Sequence, residues 1–393
     1  MNFYGRWMVL LLATALSGAT DSGEVRTPLQ HQMYIWQRAW TDRVSEAMEH
    51  AAPYVSGWRV LVAETDRRGE WRFFLPLPDP TKSLTAVIRI DGQRRLEDAS
   101  AVTEHVLAWA RAQPAGRWSG IEIDYDCPTR QLRTYTRLLE SLRSALPPDT
   151  RLSLTALPTW IGSPDLPDLL STADESVLQV HSVLDPRRGL FVGSLAVSWT
   201  TSYSRITHKP FSVALPDYGS RVAWDSTGKL ASVLSEQSGI QTSPVQKELE
   251  ADPTEVAAFL ENLRATHPRN LTSIVWFRLP VADDRRIWSL EALETVIEAR
   301  PLTPRLNVDV ERDNLGAYRV ILSNSGTADM TLPRTIKAKP CVQADALPGY
   351  TLRHGSDDLV FTARGDSKLR VGQQVTVGWT RCAINREDLS LED

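Results

Sequence analysis

The chain has 393 residues, enough for about two domains. With 42% hydrophobic and 23% charged residues its composition is that of a globular protein, and a net charge of −4 speaks against a nucleic-acid or anionic-membrane surface. The chain also holds 13 tryptophans, and an exposed tryptophan offers a flat platform for weakly polar ligands such as sugar rings.

The N-terminus has the pattern of a secretory signal peptide. Arg6 is followed by an apolar run over residues 7–16 and by the small residues Ser17-Gly18-Ala19. An uncleaved anchor is the alternative, but the run is short for a membrane span. We therefore expect a signal peptide over residues 1–19, a periplasmic or secreted protein, and no stable membrane span after cleavage.

Eight predicted strands alternate mostly with helices between residues 28 and 300. The strands are predicted at residues 32–36, 58–64, 84–91, 118–128, 151–157, 177–183, 211–215 and 271–279. Helices are predicted at residues 41–51, 99–111, 130–146, 165–172, 252–266 and 287–299, with some helical character over 185–208. This alternation predicts an α/β fold in which residues 28–300 form a (β/α)8 TIM-type barrel, the predicted catalytic domain. Residues 220–251 are predicted to be an inserted excursion.

The pattern changes after the proline-containing linker at residues 300–304. Residues 301–393 are predicted to form a small β-sandwich-like accessory domain, because period-2 alternation replaces the helical pattern. Cys341 and Cys382 both lie in this domain and are predicted to form a disulfide if the protein is exported. Cys127 is predicted to be a buried free thiol; a Cys–His nucleophile is the open alternative.

Carboxylates line one face of the strand at residues 118–128. Ile121 and Ile123 alternate with Glu122, Asp124 and Asp126, so the acids share a face. A solvated charged face is the ordinary interpretation of such a pattern. Because helices are predicted on both sides, the strand belongs to a covered parallel sheet, where acids need partners or a task.

Polar residues also lie at the C-terminal ends of other predicted strands, where the sites of such barrels are found. The candidate substrate-binding residues are Trp36, Glu64, Arg89, Asp91, Trp160, Gln179, His181, Asp217, Tyr218, Trp276 and Arg278. We expect Arg89, Arg278 and a protonated His181 to compensate the acids. Glu122, Asp124 and Asp126 are the candidate catalytic residues. Asp126, nearest the strand end, is the predicted general acid, since close carboxylates raise one another's pKa.

The segment from Ser119 to Asp126 resembles the fourth-strand motif of family 18 glycoside hydrolases, written DGxDxDxE. Gly120 matches the glycine, Glu122 and Asp124 take the two Asp positions, and Asp126 takes the position of the acid. Trp276 resembles the eighth-strand tryptophan of that family. This resemblance implies a barrel that hydrolyses glycosidic bonds.

The segment departs from that motif in three ways. Ser119 replaces the first Asp, and the acid is Asp rather than Glu. The sixth strand offers Gln179-Val180-His181 in place of a Tyr-Asp pair, which is unfavourable for substrate-assisted hydrolysis of an N-acetyl sugar.

A second resemblance extends over most of residues 34–290 and is to a bacterial family described as domain of unknown function 3142. It implies a barrel and no defined chemistry. The segments that carry it are residues 35–38, 89–93, 121–128, 152–160, 177–183, 213–221 and 274–280.

The sequence thus predicts a glycoside hydrolase-like barrel protein that acts on a poly- or oligosaccharide by general acid catalysis. The alternative, from a different functional class, is a non-catalytic carbohydrate-binding barrel protein. A third hypothesis is a Ca²⁺ or Mg²⁺ site built from Asp124, Asp126 and His181, although no compact ligand-spacing motif is present. We expect a carbohydrate ligand, no cofactor, no resident metal, no nucleic acid and a monomer.

If the protein is exported and its signal peptide is cleaved, the mature chain should begin near Thr20. N-terminal sequencing of protein recovered outside the cytoplasm measures this directly. An intact Met1 in that fraction would show that the segment is not cleaved.

Overall fold

A computed structural model describes residues 28–74, 82–96, 99–181, 188–234, 245–284, 286–333, 335–365 and 368–392. The predicted signal peptide lies outside these residues. Among the described residues, no helix is both long enough and apolar enough to cross a membrane.

The first twelve strands precede residue 278. They are β1 (Gln30–Ile35), β2 (Gly57–Thr65), β3 (Trp71–Phe73), β4 (Ser83–Ile90), β5 (Gly120–Tyr125), β6 (Arg151–Ala156), β7 (Glu175–Gln179), β8 (Phe211–Pro216), β9 (Gly219–Trp224), β10 (Leu230–Leu234), β11 (Val245–Glu250) and β12 (Leu271–Phe277). The helices are α1 (Asp42–Ala51), α2 (Ala99–Arg111), α3 (Leu132–Ala145), α4 (Leu166–Ser171), α5 (Gly193–Ile206), α6 (Pro253–Thr266) and α7 (Leu290–Ile297).

Eight of these strands form a closed parallel barrel, which confirms the predicted fold. The order is β1-β12-β8-β7-β6-β5-β4-β2, and β1 also pairs with β2, which closes the sheet. The helices cover the outside, where one apolar core lies between them and the strands. A second, smaller apolar cluster fills part of the barrel interior and includes Tyr34, Trp36, Val87 and Val275.

Two β-structures are added to the eight-stranded barrel. The short strand β3 pairs antiparallel with the end of β2 and was not predicted from the sequence. The predicted excursion contains a three-stranded antiparallel sheet in the order β10-β9-β11. Residues 182–187, at the junction of the predicted strand 177–183 and the helical segment, lie outside the described part of the chain.

Antiparallel strands make up the C-terminal region, as predicted. They are β13 (Leu306–Arg312), β14 (Tyr318–Asn324), β15 (Met330–Thr331), β16 (Thr335–Ala338), β17 (Ala344–Ala346), β18 (Tyr350–His354), β19 (Leu359–Ala363), β20 (Lys368–Leu369), β21 (Gln374–Thr380) and β22 (Leu389–Glu392). Two four-stranded sheets, β13-β14-β21-β17 and β18-β19-β16-β22, share one apolar core that is separate from the barrel core. Cys341 and Cys382 form the predicted disulfide, and Cys127 is a buried free thiol.

The C-terminal region holds the loop that follows β12. The guanidinium of Arg370 donates to the backbone carbonyls of Ala282, Asp284 and Ile287. Asp329 accepts hydrogen bonds from the backbone and hydroxyl of Ser289, the residue that caps α7, at 2.7 and 2.6 Å. The conformation of this barrel loop therefore depends partly on side chains of the β-rich region.

Under oxidising conditions, thiol labelling of the unfolded protein should find one free cysteine. The disulfide joins residues 41 positions apart, and closing a loop of that size stabilises the fold by about 4 kcal/mol in the chain-entropy model. Urea unfolding with and without reductant measures the stabilisation. Three labelled thiols in the unreduced protein would contradict the bridge.

Candidate active site

The acidic face of β5 points into the barrel. On the opposite face, Tyr125 packs edge-on against Tyr135 of α3, with ring centroids 5.3 Å apart. Gly120 begins the strand where β6 approaches closely, since a Cβ atom there would lie 2.8 Å from the carbonyl oxygen of Arg151. This close approach explains why the motif has a glycine at position 120.

Glu122 lies deepest and is fully paired. Tyr34 donates a hydrogen bond of 2.5 Å to one carboxyl oxygen, and Arg59 makes a very short ion pair with the other. Ser153 and Thr155 add longer hydrogen bonds of 3.4 and 3.3 Å. Glu122 has no exposed surface. The predicted catalytic role is therefore replaced by a structural one.

Arg59 is the partner that sequence reasoning missed. It is buried in the barrel and also donates to Glu175 at 2.6 Å and to Gln32 at 2.8 Å. Although burial alone would lower the pKa of Arg59, the charges of Glu122 and Glu175 outweigh it and raise that pKa. An arginine inside the apolar run of β2 was the available sequence signal.

Asp124 lies one layer above Glu122 and is 4% exposed. Burial raises the pKa of Asp124 to about 8; the charge of Asp126 adds to the rise, and the charge of Arg89 opposes it. One carboxyl oxygen of Asp124 is buried without a hydrogen-bond partner among the described residues. Asp124 therefore holds a proton at neutral pH.

Asp126 follows β5 at the mouth of the barrel. The residue is exposed overall, yet enough protein surrounds its carboxyl group that lost hydration raises the pKa of Asp126, while the charge of Arg89 lowers it. The loop after β4 supports this position, because a Cβ at Gly92 would overlap the carbonyl oxygen of Asp126. Asp126 is thus exposed directly after the C-terminal end of β5.

Two arginines and a glutamate stand beside these acids. Arg89 lies opposite Asp124 in the β4–β5 register, with its Nε atom 3.9 Å from Asp124 Oδ2. Glu64 faces the same side because the β2–β4 register shifts between Leu61 and Ala63. Arg38, which sequence reasoning did not nominate, holds Glu64 with contacts of 2.8 to 3.2 Å. Burial alone would raise the pKa of Glu64, but the hydrogen bonds and charge of Arg38 lower it.

Aromatic rings line the wall next to the acids. Trp36 packs against Phe277 with ring centroids 5.0 Å apart, and Arg89 lies 6.0 Å from the Trp36 ring centroid. Tyr218 packs against Phe277 at 5.2 Å, and its hydroxyl lies 3.3 Å from Nδ1 of His181. Burial lowers the pKa of His181 to about 3. The expectation of a protonated His181 is therefore wrong.

Asp217 and Arg278 lie behind this wall. Asp217 has no exposed surface, and burial raises its pKa well above the ordinary value although the charge of Arg278 opposes the rise. Its carboxyl oxygens have no hydrogen-bond partner of ordinary geometry among the described residues. Arg278 forms a very short ion pair with Asp284 instead of compensating the β5 acids as predicted.

Two predicted ligand-binding tryptophans point away from the mouth, which corrects both assignments. Trp276 is fully buried on the outer face of β12, where its Nε1 donates to Nδ1 of His31 at 3.0 Å. Its neighbour Phe277 occupies the inner face. Trp160 is also fully buried and donates to the carbonyl of Cys127 at 3.0 Å. Trp160 thus supports the end of the acidic strand from behind.

Two cavities open at the mouth on either side of Arg38. One of about 290 Å³ is lined in part by Trp36 and Arg278. The other, of about 230 Å³, is lined in part by Glu64, Arg89 and Asp91. Asp126 is part of neither lining. A larger cavity of about 1060 Å³ opens at the opposite end of the barrel, but catalytic groups of such barrels lie at the C-terminal end of the strands.

The remaining nominated residues lie at the same end. Asp91 is half-buried and accepts a hydrogen bond of 2.8 Å from the backbone of Gln93. Gln179 ends β7 and is half-buried. In the described part of the chain, no group of three or more His, Cys, Asp or Glu side chains is placed to hold a metal ion. The geometry therefore gives no support to the metal-site hypothesis.

Sequence comparison assigns the barrel to a family. The profile described as Domain of unknown function (DUF3142) matches residues 80–282, just over half of the chain. The chain belongs to this family. A second profile, Domain of unknown function (DUF8456), matches residues 307–383. No curated protein has a matching sequence.

Solved structures with a similar fold include bacterial enzymes. A chitinase from Chromobacterium violaceum has 13% identity and a TM-score of 0.46, with 65% of this chain and 96% of that chain covered. The spore cortex-lytic enzyme SleL from Bacillus cereus has 13% identity and a TM-score of 0.46, covering 64% and 71%. Chitinase ChiA74 from Bacillus thuringiensis has 11% identity and a TM-score of 0.44, covering 90% and 97%. These values are too low for an activity to be transferred.

The contribution of Asp124 to the free energy of unfolding should fall as the pH rises from about 4 to about 8. The folded protein keeps the proton of Asp124 up to a pKa of about 8, against an ordinary value of 3.8. Between these values the Asp124 carboxyl group binds more protons in the folded state than in the unfolded state, so through this group a higher pH favours unfolding. Asp124→Asn cannot titrate and should weaken this dependence by about one proton. Urea unfolding across the range measures both proteins, and identical slopes would contradict the raised pKa.

Proposed function

We propose that this protein is a glycoside hydrolase that cleaves a poly- or oligosaccharide by general acid catalysis, with Asp126 as the proton donor. The supporting observation is the pair Asp124 and Asp126, which projects from one strand into the barrel mouth with both pKa values raised. A raised pKa favours the protonated form of a carboxyl group, and the protonated form can donate its proton to the oxygen of a leaving group.

Asp124 assists as the partner of the acid. The negative charge of either carboxyl group disfavours ionisation of the other, so together they retain a proton. When Asp126 gives up its proton, negative charge accumulates at the mouth. Arg89, 3.9 Å from Asp124, lies where it can stabilise that charge.

The wall beside the acids suits a sugar. Phe277 is the partly exposed ring of this wall, and the buried rings of Trp36 and Tyr218 pack against it close to Arg89 and the acids. Aromatic surface with a few directed polar groups is a common arrangement in small-molecule sites. The same wall would serve a non-catalytic carbohydrate-binding barrel, so turnover has to be measured beside binding.

Asp126→Asn should lower turnover by about 10²–10⁴-fold, because the amide keeps the shape of the side chain but cannot donate the acid proton. Binding should change little. Release of reducing ends from a polysaccharide panel, with affinity electrophoresis and melting temperature on the same preparations, measures all three properties. The matched control is Asp168→Asn, which changes an exposed aspartate of α4 that lines neither mouth cavity.

Asp124→Asn provides a second measurement. Asp124 and Asp126 titrate as a pair, whose last proton is held more tightly once the other carboxyl group has ionised. With Asn at position 124, Asp126 titrates alone, so the alkaline limb of the rate–pH profile should move to lower pH. Full turnover in a stable Asp126→Asn protein would overturn the proposed mechanism. Binding without turnover in the wild-type protein would favour the carbohydrate-binding alternative.

A further inference from the structure

Arg89 has unused hydrogen-bonding capacity beside the proposed acid. Its side chain is 42% exposed, and its ion pairs with Asp124 and Glu64 are 3.9 and 4.0 Å long. Both exceed hydrogen-bond length. Its guanidinium also lies 6.0 Å from the centroid of Trp36. Among the described residues, none accepts a hydrogen bond from Arg89, although a guanidinium carries five N–H groups.

Other charged groups of the same cavity are already engaged. Arg38 holds Glu64 through two nitrogens. Asp66 accepts hydrogen bonds from the backbone of Arg68 and Glu70 at 2.8 and 2.9 Å, and Asp91 accepts one from the backbone of Gln93. The side chains of Glu70 and Arg72 are exposed at the rim. Arg89 is therefore the positively charged side chain inside this cavity whose N–H groups remain available to bind a ligand.

Resting on the proposed function, we propose that the substrate is an acidic glycan whose sugar carboxylate is bound by Arg89. A guanidinium matches a carboxylate through two parallel hydrogen bonds. The cavity of about 230 Å³ beside Arg89 gives the carboxylate a place to enter. The buried Trp36 ring lies 6.0 Å from the guanidinium and borders the neighbouring cavity of about 290 Å³, which gives the sugar that bears the carboxylate space on the other side of Arg38.

Such binding would also act on the acid. The charge of Arg89 lowers the pKa of both Asp124 and Asp126 in the free protein. A bound carboxylate neutralises that charge, so the pKa of Asp126 rises further as the substrate enters. An acidic substrate would thus favour the protonated form of the group that cleaves it.

Affinity electrophoresis tests the proposal without requiring turnover. The gels contain polygalacturonate, alginate or hyaluronan, each beside the same polymer with its carboxylates methyl-esterified, and a neutral glucan. We expect retardation by at least one acidic polymer and its loss on esterification. Arg89→Gln should weaken the apparent affinity about 10–100-fold, the effect expected for losing a pair of charge-assisted hydrogen bonds. Arg89→Lys should recover only part of it.

Arg68→Gln is the matched control, because it removes the same charge from an exposed residue close by and should leave retardation unchanged. Retardation by none of the acidic polymers, equal retardation by an esterified polymer, or an Arg89→Gln protein that binds like the wild type would overturn the proposal. Reducing ends separate it from the proposed function. Arg89-dependent binding without cleavage refutes hydrolysis alone, whereas cleavage of the neutral glucan with Arg89→Gln unaffected refutes the acidic substrate alone.

Discussion

The buried ion pair between Arg59 and Glu122 is the interaction on which the barrel interior depends. Both residues are at most 1% exposed, and removing two such charges from water costs several kcal/mol for each ion. The fold offsets this cost by satisfying the remaining groups of the pair. The additional partners are Gln32, Tyr34, Ser153, Thr155 and Glu175. They come from β1, β6 and β7, so one charge pair links five strands of the barrel.

The segment that carries Glu122 also supplies the two acids at the mouth. With the charge of Glu122 compensated from below, Asp124 and Asp126 occupy the next positions on the inner face of β5. Asp124 is buried and lacks a strong cation at hydrogen-bond distance, whereas Asp126 reaches solvent. From the barrel interior to its mouth, Glu122 is ion-paired, Asp124 holds a proton and Asp126, just after the strand, is exposed. A single alternating pattern provides both the structural anchor and the candidate chemistry.

The barrel, the inward face of β5 and the disulfide were predictable because each follows from local periodicity or from the cysteine count. Which side chains of β12 face the barrel interior was not predictable from the sequence. Trp276 and Phe277 are both large aromatic residues, and only the strand pairing decides that Phe277 faces inward. Arg59 and Glu122 lie 63 residues apart, so their contact has no local signature. Phe277, Tyr34 and Arg38 were missed for the same reason.

Arg370 of the C-terminal region donates hydrogen bonds to the loop after β12 of the barrel. Because of these contacts, neither region is easily replaced by the corresponding region of a related protein. The carbonyls that Arg370 engages belong to the loop that carries Asp284, and Asp284 holds Arg278 behind the aromatic wall. A barrel separated from its β-rich region would leave these groups to water and free the loop. Recombination between family members would therefore need to transfer the loop after β12 together with Arg370.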